Sequence, residues 1–306
     1  MLAGGLNPTP LQRLMGFPSA GLPVSRDRTL LSAWLEVIDR SLGSLRRSTH
    51  LLCGTPADEQ WFLAELRRPT NPVSGVEVRR DDRPHRGVCG ILADTVQTPG
   101  FSNWLLVIEL NTLPPKSLVP MLEAVAGGPS MVVGASEDER PAGAFLLGAD
   151  LLKDVPRRGY LDLKEQFLPQ LVARGHRVSA ATLSETSVRL VDRRNYLRSV
   201  RVWQSENAVT ACEENVSGHS IICSGAEIAP DAFILDSVVL PGAVIGSRCV
   251  VARSVVGPLI RVPEGSVLVD AVMANPRLGD RPAEFRVSSG IPTAESPKDV
   301  LPIWSR

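Results

Sequence analysis

Three six-residue blocks, Ile228-Ala-Pro-Asp-Ala-Phe233, Ile245-Gly-Ser-Arg-Cys-Val250 and Val262-Pro-Glu-Gly-Ser-Val267, follow one another at a constant step of 17 residues. Each opens on a branched aliphatic residue. The next blocks keep the same step: Ile234-Leu-Asp-Ser-Val-Val239, Val251-Ala-Arg-Ser-Val-Val256 and Leu268-Val-Asp-Ala-Val-Met273. Upstream, Ser217-Gly-His-Ser-Ile-Ile222 fits the frame, so Ser220, Ser237, Ser254 and Ala271 form one column of small residues. Leu240-Pro-Gly-Ala-Val244 and Gly257-Pro-Leu-Ile-Arg261 supply a third, shorter block. A fixed period with one aliphatic residue about every six marks a three-sided coil. The aliphatic residues face inward, the small residue sits at a tight corner, and Gly and Pro turn the chain between faces. The stretch from about Ala211 to Met273 therefore reads as a short parallel β-helix of roughly three to four coils, each burying its faces on its neighbours. A β-sandwich is the plainer alternative, and the strict recurrence argues against it.

Outward from that stretch, 306 residues suggest roughly two domains. With 43% hydrophobic and 22% charged residues, and 33 basic against 33 acidic, the chain reads as soluble and globular. No basic stripe points to nucleic acid. Five scattered cysteines, Cys53, Cys89, Cys212, Cys223 and Cys249, show no CxxC spacing. They read as reduced thiols of a cytoplasmic protein, with Cys249 a small packing residue in the column of Ala232 and Ser266. No apolar run approaches the roughly 18 residues of a membrane span. Met1-Leu-Ala-Gly-Gly5 is too short and uncharged for a secretion signal.

The first two-thirds alternate helical and strand patterns. Thr29–Ile38, Ala57–Leu66 and Leu118–Val125 read as helices; His50–Cys53, Val76–Val78 and Ser130–Val133 read as strands. Trp104-Leu-Leu-Val-Ile108 is a continuous apolar run, as in a central strand of a parallel sheet. This alternation predicts a three-layer α/β domain, with ligands beyond the carboxyl ends of the strands. Three loops there stand out: the one opening at Gly4-Gly5, Arg86-Gly-Val-Cys-Gly90, and Glu109-Leu-Asn111. Glycines in such loops let the backbone approach a phosphate; each loop also reads as an ordinary strand-to-helix turn.

Together these stretches resemble the sugar-phosphate nucleotidylyltransferases, in particular the mannose-1-phosphate guanylyltransferase and glucose-1-phosphate nucleotidylyltransferase group. Leu2-Ala-Gly-Gly-Leu6 is similar to the start of the family's nucleotide loop, and Arg28–Leu35 to the helix after its P-L-L segment. Arg86–Leu92 resembles the stretch that contacts the base, Ala142–Gly148 the G-x-Y-x-F strand, and Gly159–Leu171 the D-x-x-x-D-x-x-P-x-L helix. Asn195-Tyr-Leu197 sits like the D-Y-L before the β-helix. The resemblance implies a Rossmann-like nucleotidyltransferase domain at 1–205, a left-handed hexapeptide β-helix at 206–274 and a tail at 275–306. It further implies a nucleotide or sugar nucleotide as ligand, bound by Gly4, Gly5, Arg28 and Gly90. Mg²⁺ would be held by Glu109 if the protein is active. Association into a homo-oligomer or with a paralogous subunit is also expected.

The departures fall on the charged groups. Asn7-Pro-Thr-Pro10 replaces the family's Gly-Thr-Arg-Leu, and no lysine comes after the loop, so Arg13, Arg26 or Arg28 is left to meet the triphosphate. The family's metal-binding Gly-Asp falls at Leu110-Asn111 beside Glu109; its second aspartate falls near Arg189, with Asp192 displaced. The E-K-P segment has no match. Transfer of a nucleotidyl group needs clustered cations and a carboxylate-held metal. The chain therefore reads either as a nucleotidylyltransferase working through substitutes or as a non-catalytic homologue that binds nucleotide or sugar nucleotide. A hexapeptide acyltransferase, a third reading, would need a catalytic histidine, for which the repeats offer only His219.

Overall fold

The computed structural model of the chain describes residues 1–2, 8–43, 45, 48–68, 75–81, 83–97, 103–207 and 215–274. In chain order its elements are α1 (Pro10–Met15), β1 (Pro23–Ser25), β2 (Arg28–Thr29), α2 (Leu30–Leu42), β3 (Thr49–Cys53), α3 (Pro56–Leu66) and β4 (Val76–Arg80). Next come α4 (Gly87–Val96), β5 (Trp104–Ile108), α5 (Val119–Val125), β6 (Met131–Ser136), β7 (Pro141–Gly148), α6 (Leu168–Ala173), β8 (Val178–Ser184), α7 (Arg193–Asn207) and the short strands of the coil. The described residues pack as two compact units. One comprises those of Met1–Pro8 and Leu31–Val188; the other comprises Thr9–Leu30 with the chain from Arg189 onward.

Local chemistry explains where helices begin. Thr55 Oγ1 accepts the Asp58 N–H at 3.1 Å, Pro56 opens α3, and Asp58 and Glu59 lie in its first turn. All three favour a helix N-terminus. Thr9 and Pro10 do the same for α1, which Gly16 closes in the left-handed conformation.

In the first unit the strands lie in the order β4, β3, Met1–Leu2, β5, β7, β6, β8. Leu2 joins the two halves, bridging Leu52 on one side and Glu109 on the other, parallel to both. β5 is central, as its apolar run predicts, but the sheet is mixed because β7 runs antiparallel to both β5 and β6. The reason is local: β6 and β7 are joined by the tight turn at Glu137–Arg140, and so short a connection can only reverse the chain. Successive side chains on a strand point to opposite faces. Val107, Met131, Phe145 and Leu147 pack with Cys89, Leu92, Leu163 and Phe167 on one face. Their neighbours Ile108, Val132 and Leu146 are buried on the other. α5 packs on β6 and β8, and fully buried Trp34 of α2 donates its ring N–H to the Thr112 carbonyl at 2.7 Å. Three layers result.

In the second unit the coil has the register read from the sequence. Ile228 pairs with Ile245 and Ile245 with Val262; Ile234, Val251 and Leu268 align likewise, as do Val238, Val255 and Val272. Every strand pair of the described coil is parallel. Ile234, Val239, Ile245, Val251, Val256, Val262 and Leu268 fill the interior. The corners depart from expectation in one respect. The residue that turns the chain is the one before the small residue: Asp236, Arg253 and Asp270 all have positive φ, between 46° and 55°. The buried serines next in the chain instead form a ladder. Ser220 Oγ accepts the Ser237 N–H at 3.2 Å, Ser237 Oγ the Ser254 N–H at 3.0 Å, and Ser254 Oγ the Ala271 N–H at 3.0 Å. Each hydroxyl also donates to a backbone carbonyl. Amides left unpaired by the corner are thereby satisfied inside the coil.

Ser254→Ala leaves the Ala271 amide without its acceptor and should lower stability by about 1–3 kcal/mol. Ile245→Asp, which buries a carboxylate in a dry column, should cost several kcal/mol, on the order of 4 or more. Denaturant melts of both variants check this; an unchanged midpoint for Ile245→Asp would refute the register.

Candidate functional site

From Leu2 the chain first builds β3 and β4 on one side of the Met1–Leu2 segment, then crosses back to place β5 on its other side. Where strand order reverses, adjacent connections leave in opposite directions and a crevice opens beyond the carboxyl ends. That point lies between Leu2 and β5. The first residue beyond β5 is Glu109, whose N–H donates to the Gly143 carbonyl at 2.8 Å.

Lys164 meets Glu109 there. Its ammonium lies 2.7 Å from Oε1 and 2.8 Å from Oε2, and 5.7 Å from the centroid of the Phe145 ring. Side-chain exposure of 29% for Lys164 and 16% for Glu109 separates this pair from the solvated ion pairs of the surface. Lys164 belongs to a single π-type turn, Leu163–Phe167, leading into α6. Asp162 caps that turn, Oδ1 accepting the N–H groups of Lys164 and Glu165 at 2.7 and 2.8 Å. Leu163 and Phe167 anchor it in the core. Such turns recur at functional sites.

Gly143 shapes the same corner. Its φ is +74°, and a Cβ there would stand 2.7 Å from both Cβ and Oγ1 of buried Thr112. Glycine is required for both reasons. Gly143→Ala should destabilise the first unit by about 1–3 kcal/mol and weaken whatever binding depends on Glu109; thermal melts with and without ligand measure both.

The other residues expected from sequence have different surroundings. Gly4 and Gly5 lie outside the described residues; Leu2, which leads into them, is the bridge partner of Glu109. Gly90 lies within α4, and the atoms nearest to a Cβ built there all belong to Arg86. Arg86 is itself buried, pairing with Asp94 and donating from Nη2 to the Pro156 carbonyl at 2.7 Å. The adjacent Cys89 N–H donates to the Leu161 carbonyl at 3.2 Å. The glycine thus serves helix packing, and Gly90→Val should lower stability by about 1–3 kcal/mol with no ligand present. Arg28, on β2, and Arg13, at the end of α1, are exposed residues of the second unit. Asp192 caps α7, accepting the Asn195 N–H at 2.8 Å. His219 shares a hydrogen bond of 3.1 Å with Gln204 of α7.

Sequence reasoning misses Lys164, although a signal is there. A cation two residues after a capping Asp stands in the first helical turn, where the peptide dipoles favour anions. The cysteines behave as packing residues: Cys53, Cys89, Cys223 and Cys249 are free and buried. Burial pushes the thiols of Cys89 and Cys223 up to about 12 and that of Cys53 to about 11. All three stay protonated at neutral pH and so are poor nucleophiles and metal ligands. Among the described residues no group of three or more His, Cys, Asp or Glu could hold a metal ion, and no helix is long and apolar enough to cross a membrane.

Residues 204–278 match the family described as GlmU-like, C-terminal hexapeptide. No curated protein matches the chain. Among solved structures, HddC from Yersinia pseudotuberculosis is similar, with a TM-score of 0.52 at 14% identity over 66% of this chain and 97% of that one. The same protein complexed with GMP-PN gives 0.51 at 16% identity, with the same coverage. At this identity the likeness is one of fold.

Proposed function

We propose that the first unit binds a nucleotide or sugar nucleotide in the crevice between Leu2 and β5, and that it descends from sugar-phosphate nucleotidylyltransferases with most of their catalytic charge removed. The observation that carries this reading is the position of the Glu109–Lys164 pair at the point where strand order reverses, beside the segment that leads into Gly4-Gly5. A ligand there meets a carboxylate and an ammonium. The bound nucleotide analogue in a structure of the same fold supports the choice of ligand class. Turnover would need Mg²⁺, a triphosphate-binding arginine and an aspartate pair. Asn7-Pro-Thr-Pro10 replaces the expected arginine segment, and Leu110-Asn111 the first aspartate position.

Nucleotide binding to the native state should raise the melting temperature, by a stabilisation of about 2.7 kcal/mol at a hundredfold excess over Kd. GTP, ATP, UTP, dTTP and the matching sugar nucleotides should be screened, and at least one should shift the melt. Pyrophosphate release with mannose or glucose 1-phosphate should stay far below the ordinary enzyme range of about 1–10³ per second. Turnover within that range that disappears in Glu109→Ala would establish a working transferase instead. No shift with any nucleotide or sugar nucleotide would overturn the binding reading.

A further inference from the structure

Enzymes of the kind the sequence resembles hold Mg²⁺ on carboxylates, and Glu109 is the carboxylate at the corresponding place. The residues present do not fit such an ion. Both Glu109 oxygens lie within 2.8 Å of the Lys164 ammonium. The next residues are Leu110, Asn111 and Thr112, with the Asn111 side-chain oxygen already 3.4 Å from the Thr112 hydroxyl. Mg²⁺ demands near-octahedral oxygen ligands at about 2.0–2.1 Å and dehydrates reluctantly. It would have to share one carboxylate with a cation already in contact with it. Like charges so close repel strongly outside bulk water.

We propose that the Lys164 ammonium takes the place of the divalent cation, so that a phosphate entering the crevice meets a positive charge supplied by the chain and needs no metal. The proposal rests on the nucleotide-binding reading of this domain. An ammonium has three N–H donors. Contact with the two Glu109 oxygens uses at most two of them, which among the described residues leaves one for a ligand oxygen, and the side chain keeps 29% of its surface open. The capping Asp162 and the Phe145 ring face hold the lysine in place. Glu109 acts as a positioning residue for that cation.

The test uses the full-length protein in two arms. In the first, Mn²⁺ binding is tracked by electron paramagnetic resonance in wild type, Glu109→Gln, Lys164→Met and Lys164→Met/Glu109→Gln, with Lys164→Gln as a second, more polar replacement. Wild type and Glu109→Gln should give the same weak signal. Lys164→Met or Lys164→Gln, shown folded by its melt, should bind Mn²⁺ at least tenfold more tightly, and the gain should vanish in the double variant. Glu109-dependent Mn²⁺ binding in wild type overturns the proposal, as does the absence of any gain in both folded lysine variants. In the second arm, GTP, ATP, UTP and dTTP are tested by thermal shift in EDTA and in Mg²⁺. Any shift in wild type should be equal in the two buffers, whereas a shift found only with Mg²⁺ overturns the proposal. If no nucleotide shifts the melt in either buffer while Mn²⁺ behaves as expected, the nucleotide-binding reading fails and the placement of the cation on Glu109 stands.

Discussion

Four main-chain hydrogen bonds hold the Met1–Leu2 segment in the sheet of the first unit: the Met1 amino group to the His50 carbonyl, Leu2 N–H to the Ile108 carbonyl, Leu110 N–H to the Leu2 carbonyl, and Leu52 N–H to the Met1 carbonyl. Without them the sheet would be two separate pieces, β3 with β4 and β5 with β7, β6 and β8. Leu2 runs parallel to both neighbours and stands at the carboxyl edge of the sheet, paired with Glu109. Sheet order sets this place, and the Glu109–Lys164 pair, Gly143 and Thr112 are grouped by the elements that end there.

That pair is an unusual use of charge. Mostly buried ion pairs recover little more than the cost of removing two ions from water, and an apolar pair of similar volume often stabilises as well. The capping of the turn by Asp162 and the anchoring of Leu163 and Phe167 in the core fix the lysine backbone at the rim. Only the side chain of Lys164 is then left to be ordered by its contact with Glu109.

The coil of the second unit meets a different constraint. A three-sided coil must turn sharply at every corner, and Asp236, Arg248, Arg253, Leu259 and Asp270 do so with positive φ without being glycine. Each such residue costs about 1–2 kcal/mol. Burial of the inner aliphatic columns and the serine ladder offset that strain, because each coil pairs its backbone groups with the next. At one corner Arg253 and Arg193 converge on Asp270, and the hydrogen bond from Arg253 holds its carboxyl down at about 2.

The coil was legible because its contacts are one-dimensional. Residue i meets residue i + 17, so Ile228, Ile245 and Val262 could be stacked by counting. Even there the sequence showed small residues where the structure uses hydroxyls, since a serine's hydrogen bonds depend on which amides the corner leaves unpaired. In the α/β unit the apolar run of Trp104–Ile108 announced a central strand, and Thr55-Pro56 announced a helix start. Both are local signals, set by the chain's own dihedral and burial preferences. The sequence also led to Glu109, because a polar residue ending an apolar strand marks a carboxyl edge. What lies opposite Glu109 was settled by folding alone. Lys164 is 55 residues away, brought in by a hairpin that reverses β7 and a turn capped by Asp162. Gly90 looked like an open loop until its helix packed Arg86 against it. Periodicity and caps act over a few residues or a fixed step and so can be read directly. The order of strands in a sheet is chosen by competition among crossovers, and only the folded chain records the outcome.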